Sequence, residues 1–251
     1  MSNFPLKRAG TGTREWSDVS YNIGSGCGRR CLYCYANSFK QNPGDEKLKD
    51  PIPPLPKKRG SVMFPTRHDI SPLYLPESIK AIRRILDSGR SVLIVSKPQR
   101  VCIEAICKEF AAETMSILFR FTIGSLDQDL ASLWEPGAPT VGERIACLKH
   151  ARSLGFETSV SMEPMLAGTD DALATFGVVC PDVSEKIWVG KMNKVDERVR
   201  QRDPAVANAC TLIKSLQNDA EILRLVKALD GHPKVEWKDS IKEVIARHPS
   251  R

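Results

Sequence analysis

Short apolar runs alternate along this chain with longer stretches whose apolar side chains recur at the period of a helix. VSYNIG (19–24), SVMFP (61–65), SVLIVSK (91–97), SILFRFTIG (116–124), ETSVSMEP (157–164) and KIWVG (186–190) read as strands. SVLIVSK is apolar almost throughout, as a parallel strand covered on both faces is. Between them lie helical patterns. In PESIKAIRRILDSG (76–89), Pro76 suits the first turn, Ile79, Ile82, Ile85 and Leu86 form the stripe, and Gly89 ends it. RVCIEAICKEFAAE (100–113) and VGERIACLKHARSLG (141–155) follow the same logic, and residues 204–231 read as one helix or two. The tail KVEWKDSIKEVIARH adds a last helix, and a short one is expected near 32–40. QNPGDEKLKDPIPPLPKKRG (41–60) is dense in proline and charge, breaks both periods and reads as a loop.

Six strands, each followed by helical sequence, make a run of βα units, hence an α/β fold with a parallel sheet and right-handed crossovers. An open doubly wound sheet and a partial barrel both fit the alternation. A full eight-fold barrel takes about 250 residues with little left over, so six units with insertions suit this length better. In either form the active site lies at the carboxyl ends of the strands. The organisation expected is an N-terminal extension (1–18), a barrel (19–195) and a C-terminal helical segment packed on it (196–251).

Composition narrows the setting. With 251 residues and 41% hydrophobic content the chain can bury a sizeable core, and 27% charged residues argue against general disorder. The formal net charge of +7 leans weakly toward acidic partners such as nucleic acid. No stretch is long and apolar enough to span a bilayer, so no membrane partner is expected. The opening MSNFPLKRAGTGTREW has basic residues without a hydrophobic run behind them, which is not a secretory signal. The expected location is therefore the cytoplasm, where clustered cysteines are metal ligands or catalytic groups rather than disulfides.

Three of the eight cysteines, Cys27, Cys31 and Cys34, fall in GCGRRCLYCYA (26–36) with the spacing C-x3-C-x2-C. A structural zinc site needs four ligands, usually as two pairs, and no partner pair exists. The remaining cysteines, 102, 107, 147, 180 and 210, are dispersed and read as small core residues. Zinc with His68 as fourth ligand stays open. An iron–sulfur cubane that only carries electrons takes four cysteines, whereas three leave one iron open to a substrate or cosubstrate. Gly24, Gly26 and Gly28 allow a tight wrap and leave backbone N–H groups to bond cluster sulfurs.

CGRRCLYC resembles the C-x3-C-x-Φ-C signature of the radical S-adenosylmethionine (SAM) superfamily, with Tyr33 at the aromatic position and the first expected strand just before it. The resemblance implies a partial (β/α)6 barrel of the TIM type, in line with the six units counted above. It implies a [4Fe–4S] cluster on Cys27, Cys31 and Cys34 whose open iron is chelated by SAM. One-electron reduction, by a donor such as flavodoxin or ferredoxin, then cleaves the sulfonium and yields a 5′-deoxyadenosyl radical that abstracts hydrogen from a substrate. The protein's share is to orient the substrate and exclude water.

Tyr35, the strand ending VSK (95–97) and FTIGSLD…WEPGAPTVGERI (121–145) extend the resemblance, over roughly 19–165, to the spore photoproduct lyase branch, often labelled DNA repair photolyases. That likeness implies Lys97 at the SAM carboxylate, Thr122 in place of a family serine that bonds SAM, and Tyr33 near the adenine. Gly124 stands where the branch has an asparagine. The branch also has a hydrogen-returning cysteine after its second strand, where this chain reads FPTRHDI, with Thr66, Arg67, His68 and Asp69. Thymine-dimer reversal by that route is therefore not expected. Asp69 and Glu163 are further candidates for SAM binding, Glu163 also for substrate or as a base. Lys191 and Asn193 follow the sixth strand and are candidates to face substrate, and RVRQR (198–202) to touch phosphate. Two other readings remain: the same radical chemistry on a peptide or small metabolite, and a non-catalytic iron–sulfur or zinc module.

Overall fold

The computed structural model describes residues 4, 15–17, 19–38 and 44–249. Seven parallel strands form one curved sheet in the order β1 (Val19–Ser20), β4 (Val62–Met63), β5 (Val92–Ser96), β6 (Ile117–Thr122), β7 (Glu157–Met162), β8 (Ile187–Val189) and β9 (Val235–Trp237). The crossovers carry α1 (Leu75–Asp87), α2 (Arg100–Glu109), α3 (Gln128–Trp134), α4 (Val141–Ser153) and α5 (Thr169–Val179). After β8 come α6 (Val195–Arg198), α7 (Pro204–Leu216) and α8 (Asp219–Ala228), and α9 (Asp239–Arg247) follows β9. The result is the expected partial barrel with helices around it. A two-stranded antiparallel ribbon, β2 (Gly24–Ser25) with β3 (Lys47–Leu48), stands apart from the sheet.

The alternation of side chains decides what each face does. Val92, Ile94, Phe119, Phe121, Val160, Met162, Ile187 and Val189 point outward and are sealed beneath the helices in one continuous core. The inward positions are mixed. Met63, Leu93 and Leu118 pack with Phe4, while Arg120 lies opposite Ser159 and Thr122 opposite Ser161 across the β6–β7 pair. Arg120 is buried, paired with Glu185 at 2.9 Å, and lies over Trp16 and Trp188 at 4.9 and 5.0 Å. Burial pulls its pKa down, and the Glu185 carboxylate opposes that.

Three features depart from the sequence-based expectation. VEW (235–237) joins the sheet as β9, so the C-terminal segment is not purely helical and supplies a seventh strand. The extension reaches into the barrel through Glu15 and Trp16, and Trp16 packs edge-on against Trp188 at 5.8 Å. Residues 204–231, by contrast, take the two-helix form of the reading, breaking where Asn218 leaves the helical path and its side chain accepts from Glu221 N–H at 3.1 Å. The short helix expected at 32–40 is a single 3-10 segment at Tyr35–Ser38, and residues 39–43 lie outside the described ones.

Candidate active site

A cavity of about 890 Å³ opens at the carboxyl ends of the strands. Cys27, Cys31, Cys34, Tyr33, Asp69, Lys97, Thr122 and Glu163 all line it. The topology brings them together. The cysteine loop follows β2, Asp69 lies in the loop after β4, Lys97 follows β5, Thr122 ends β6 and Glu163 follows β7. All three thiols are free of disulfides. Among the described residues no three histidine, cysteine, aspartate or glutamate side chains gather as a metal-binding group.

The cysteine loop is clamped from two sides. On one, Leu32 N–H donates to Trp134 O at 2.9 Å and Gly137 N–H to Arg29 O at 3.0 Å. A Cβ on Gly137 would lie 2.0 Å from Gly28 O, so only glycine permits this approach. On the other, Arg29 donates to Asp69 at 2.8 Å, with both side chains only 7% exposed. Gly26 takes φ +77°, which lets the chain turn beside Gly44 and Asp45. The Gly28 N–H, expected to be available to a cluster, instead donates to Glu46 at 3.1 Å.

Two buried carboxylates organise the cations. Asp69 accepts from Arg29 Nε, Ser96 Oγ, Ile70 N–H and Lys97 N–H, the last at 3.1 Å. Its oxygens are thus committed to holding the cysteine loop against the end of β5. Glu135, fully buried at the end of α3, accepts from Tyr33 OH, pairs with Arg144 and lies 3.6 Å from Lys97 Nζ. Burial above all, and then the Glu135 charge, raise the Tyr33 phenol well above its ordinary value, so it is a neutral donor. Burial opposes the Lys97 charge, but the facing Glu135 carboxylate favours it, and the ammonium is retained. Its Nζ lies 5.5 Å from the Tyr33 ring centre.

Burial pushes the Cys31 thiol up to about 12 and raises Cys27 as well, with the Asp69 charge adding to the latter. As free thiols these groups hold their protons, and metal capture has to displace them. His68 is buried and offers no ligand atom: Nδ1 donates to Asp69 O at 2.9 Å and Nε2 accepts from Ile23 N–H at 3.3 Å. That removes the fourth ligand of the zinc reading. Tyr35 donates to Thr66 O at 2.6 Å, and Asn22 holds the same loop by accepting from Thr66 and Arg67 N–H at 2.8 and 2.7 Å. Glu163 keeps a quarter of its side chain exposed and lies 3.3 Å from Lys238 Nζ. Lys49, Arg67, Lys191, Asn193 and Arg198 also line the cavity, which Trp16 bounds as well.

Sequence reasoning missed Glu135, Arg144, Arg29, Asn22 and Lys238. Glu135 and Arg144 lie within the WEPGAPTVGERI stretch already singled out, and that stretch was the available signal. Nothing in the local pattern around Asn22 or Lys238 marks either.

No family model matches the sequence. An uncharacterized protein, ORF301, of Acidianus two-tailed virus is 23% identical over 64% of this chain and 60% of its own length. Among solved structures, Streptococcus suis SuiB bound to S-adenosylmethionine superposes with a TM-score of 0.59 at 10% identity, covering 98% of this chain and 53% of that one. SuiB bound to its precursor peptide SuiA gives 0.60 at 9%, covering 98% and 52%. A spore photoproduct lyase variant with dinucleoside spore photoproduct gives 0.52 at 14%, covering 85% and 63%. The chain spans less than two thirds of each of these proteins, and what it shares with the solved ones is the fold.

Proposed function

We propose that this chain is a radical SAM enzyme in which Cys27, Cys31 and Cys34 hold a [4Fe–4S] cluster and SAM takes the open iron. One observation carries the reading: the C-x3-C-x2-C thiols share a wall of one cavity with the strand-end groups Lys97, Thr122 and Glu163. A single ion needs donors that converge on one point, whereas a cubane spreads its thiolates over separate irons, which suits three thiols along a loop. When bound, the pair supplies reductive cleavage of the sulfonium, with one electron from a donor such as flavodoxin or ferredoxin, giving methionine and a 5′-deoxyadenosyl radical.

The chain's own groups bind and orient. Lys97 offers a retained cation to the SAM carboxylate, held in place by Glu135. The Thr122 hydroxyl and the Glu163 carboxylate serve the ribose or ammonium, and Tyr33 closes the adenine side. Asp69 acts by fixing Arg29 and the cysteine loop rather than by touching the cofactor. Pro53, Pro54 and Pro56 add apolar lining to the same cavity.

For the substrate we favour nucleic acid or a nucleotide. Lys49, Arg67, Lys191 and Arg198 on the cavity support it, as does the net charge of +7. The peptide-bound form of SuiB gives the peptide reading its support. Anaerobically reconstituted protein incubated with deuterated oligonucleotides, peptides and metabolites separates these. Deuterium in 5′-deoxyadenosine from the oligonucleotides alone is the expected outcome, and labelling from a peptide or metabolite alone contradicts the nucleic-acid reading.

A further inference from the structure

Lys238 is the residue just past β9, and it is buried with its side chain 1% exposed. Its Nζ lies 2.9 Å from Glu15 Oε1 and 3.3 Å from Glu163 Oε2. It also lies 4.5 Å from the Trp16 ring centre. One ammonium thus joins the N-terminal segment to a carboxylate on the cavity. Of the two aspartate or glutamate side chains lining that cavity among the described residues, Asp69 has its oxygens committed, so Glu163 is the carboxylate left for a bound molecule. We propose that Lys238 is the positioning residue of Glu163, holding its carboxylate ionised and aimed so that it accepts hydrogen bonds from SAM. This rests on the SAM-binding reading above.

The charges facing Glu163 set its behaviour. Burial raises its carboxyl above the ordinary value, Lys238 lowers it, and Glu15 and Asp239 raise it further. Lys242 Nζ lies 3.9 Å from the other Glu15 oxygen, Oε2. Removing Lys238 therefore leaves burial, Glu15 and Asp239 unopposed, and Glu163 stays protonated to higher pH. Neutralising Glu15 acts in the opposite sense. A mere tether of the N-terminal segment has a different signature, because losing either Glu15 or Lys238 would then do the same thing.

The test is equilibrium SAM binding to anaerobically reconstituted protein as a function of pH, for the unmodified chain, Lys238→Met, Lys238→Arg, Glu15→Gln and Glu163→Gln. Glu163→Gln is expected to weaken binding about ten-fold or more at neutral pH and to remove the acid-side fall in affinity. Lys238→Met moves that fall to higher pH by about one unit or more, as loss of an adjacent opposite charge does. Lys238→Arg restores it, and Glu15→Gln leaves it in place or moves it lower. Equal weakening by Lys238→Met and Glu15→Gln with an unmoved pH profile would overturn the assignment. If the unmodified chain binds no SAM, it is the parent reading that fails. Circular dichroism on each variant separates loss of fold from loss of binding, and should Lys238→Met not fold, the Glu15→Gln and Glu163→Gln profiles decide alone.

Discussion

At the scale of single residues, the site depends on carboxylates that meet partners far away in sequence. Glu135, itself fully buried, joins Tyr33, Lys97 and the buried Arg144 in one cluster at the cavity wall. Glu135→Ala strands two buried cations, so denaturant titration should show a loss of about 3–5 kcal/mol, as breaking a buried pair does. A loss below about 1 kcal/mol would mean that water reaches the cluster. His68 makes a second prediction. Burial lowers its pKa below the ordinary 6.5. Between the lowered value and 6.5 the unfolded chain carries a proton that the native state lacks, so stability falls as pH drops through that window. Urea midpoints measured from about pH 7.5 to about pH 5 should decline, and His68→Gln should flatten that decline. An unchanged slope in the variant would assign the acid sensitivity elsewhere. That Cys27, Cys31, Cys34 and Lys97 lie at one cavity was legible because motif spacing and strand ends are local signals. Glu135 and Lys238 were not, because their partners are brought to them by the closed sheet.

Elements position these residues, and their ends matter more than their middles. Asp127 caps α3 by accepting from Asp129 and Leu130 N–H at 2.8 and 3.0 Å. The far end of the same helix carries Glu135 and the Trp134 carbonyl that holds Leu32. Asp127→Ala should cost about 1 kcal/mol by thermal or chemical unfolding. Gly137→Ala is the harsher change, since its Cβ meets Gly28 O head-on and neither backbone can yield cheaply. A loss of about 1–3 kcal/mol or more, together with lower iron retention after reconstitution, is expected. Normal iron content in a folded Gly137→Ala protein would show that this clamp does not shape the loop. Sequence periodicity found every strand of the barrel except β9, whose half-buried VEW was absorbed into the KVEWKDSIKEVIARH stretch read as a helix. It also passed over α3 and α5. The buried face of α5 includes Thr169 and Thr175 while Val178 is exposed, which blurs its stripe, and α3 is only seven residues long.

For the molecule as a whole, the alternation of apolar runs and helical stretches was enough to specify a parallel α/β fold, and the chain length to favour a partial barrel. The polar lining of the barrel was not visible, because Arg120, Ser159 and Trp188 face inward only once the register of β6, β7 and β8 is set. The central claim is that Cys27, Cys31 and Cys34 leave one iron for SAM. It is tested most directly by electron paramagnetic resonance of the reduced, anaerobically reconstituted protein with and without SAM, alongside single Cys→Ala variants at the three positions. The account predicts about four irons per chain, a cluster signal that changes when SAM is added, and loss of that cluster in each variant. A full iron complement in the variants, or a signal indifferent to SAM, would contradict it.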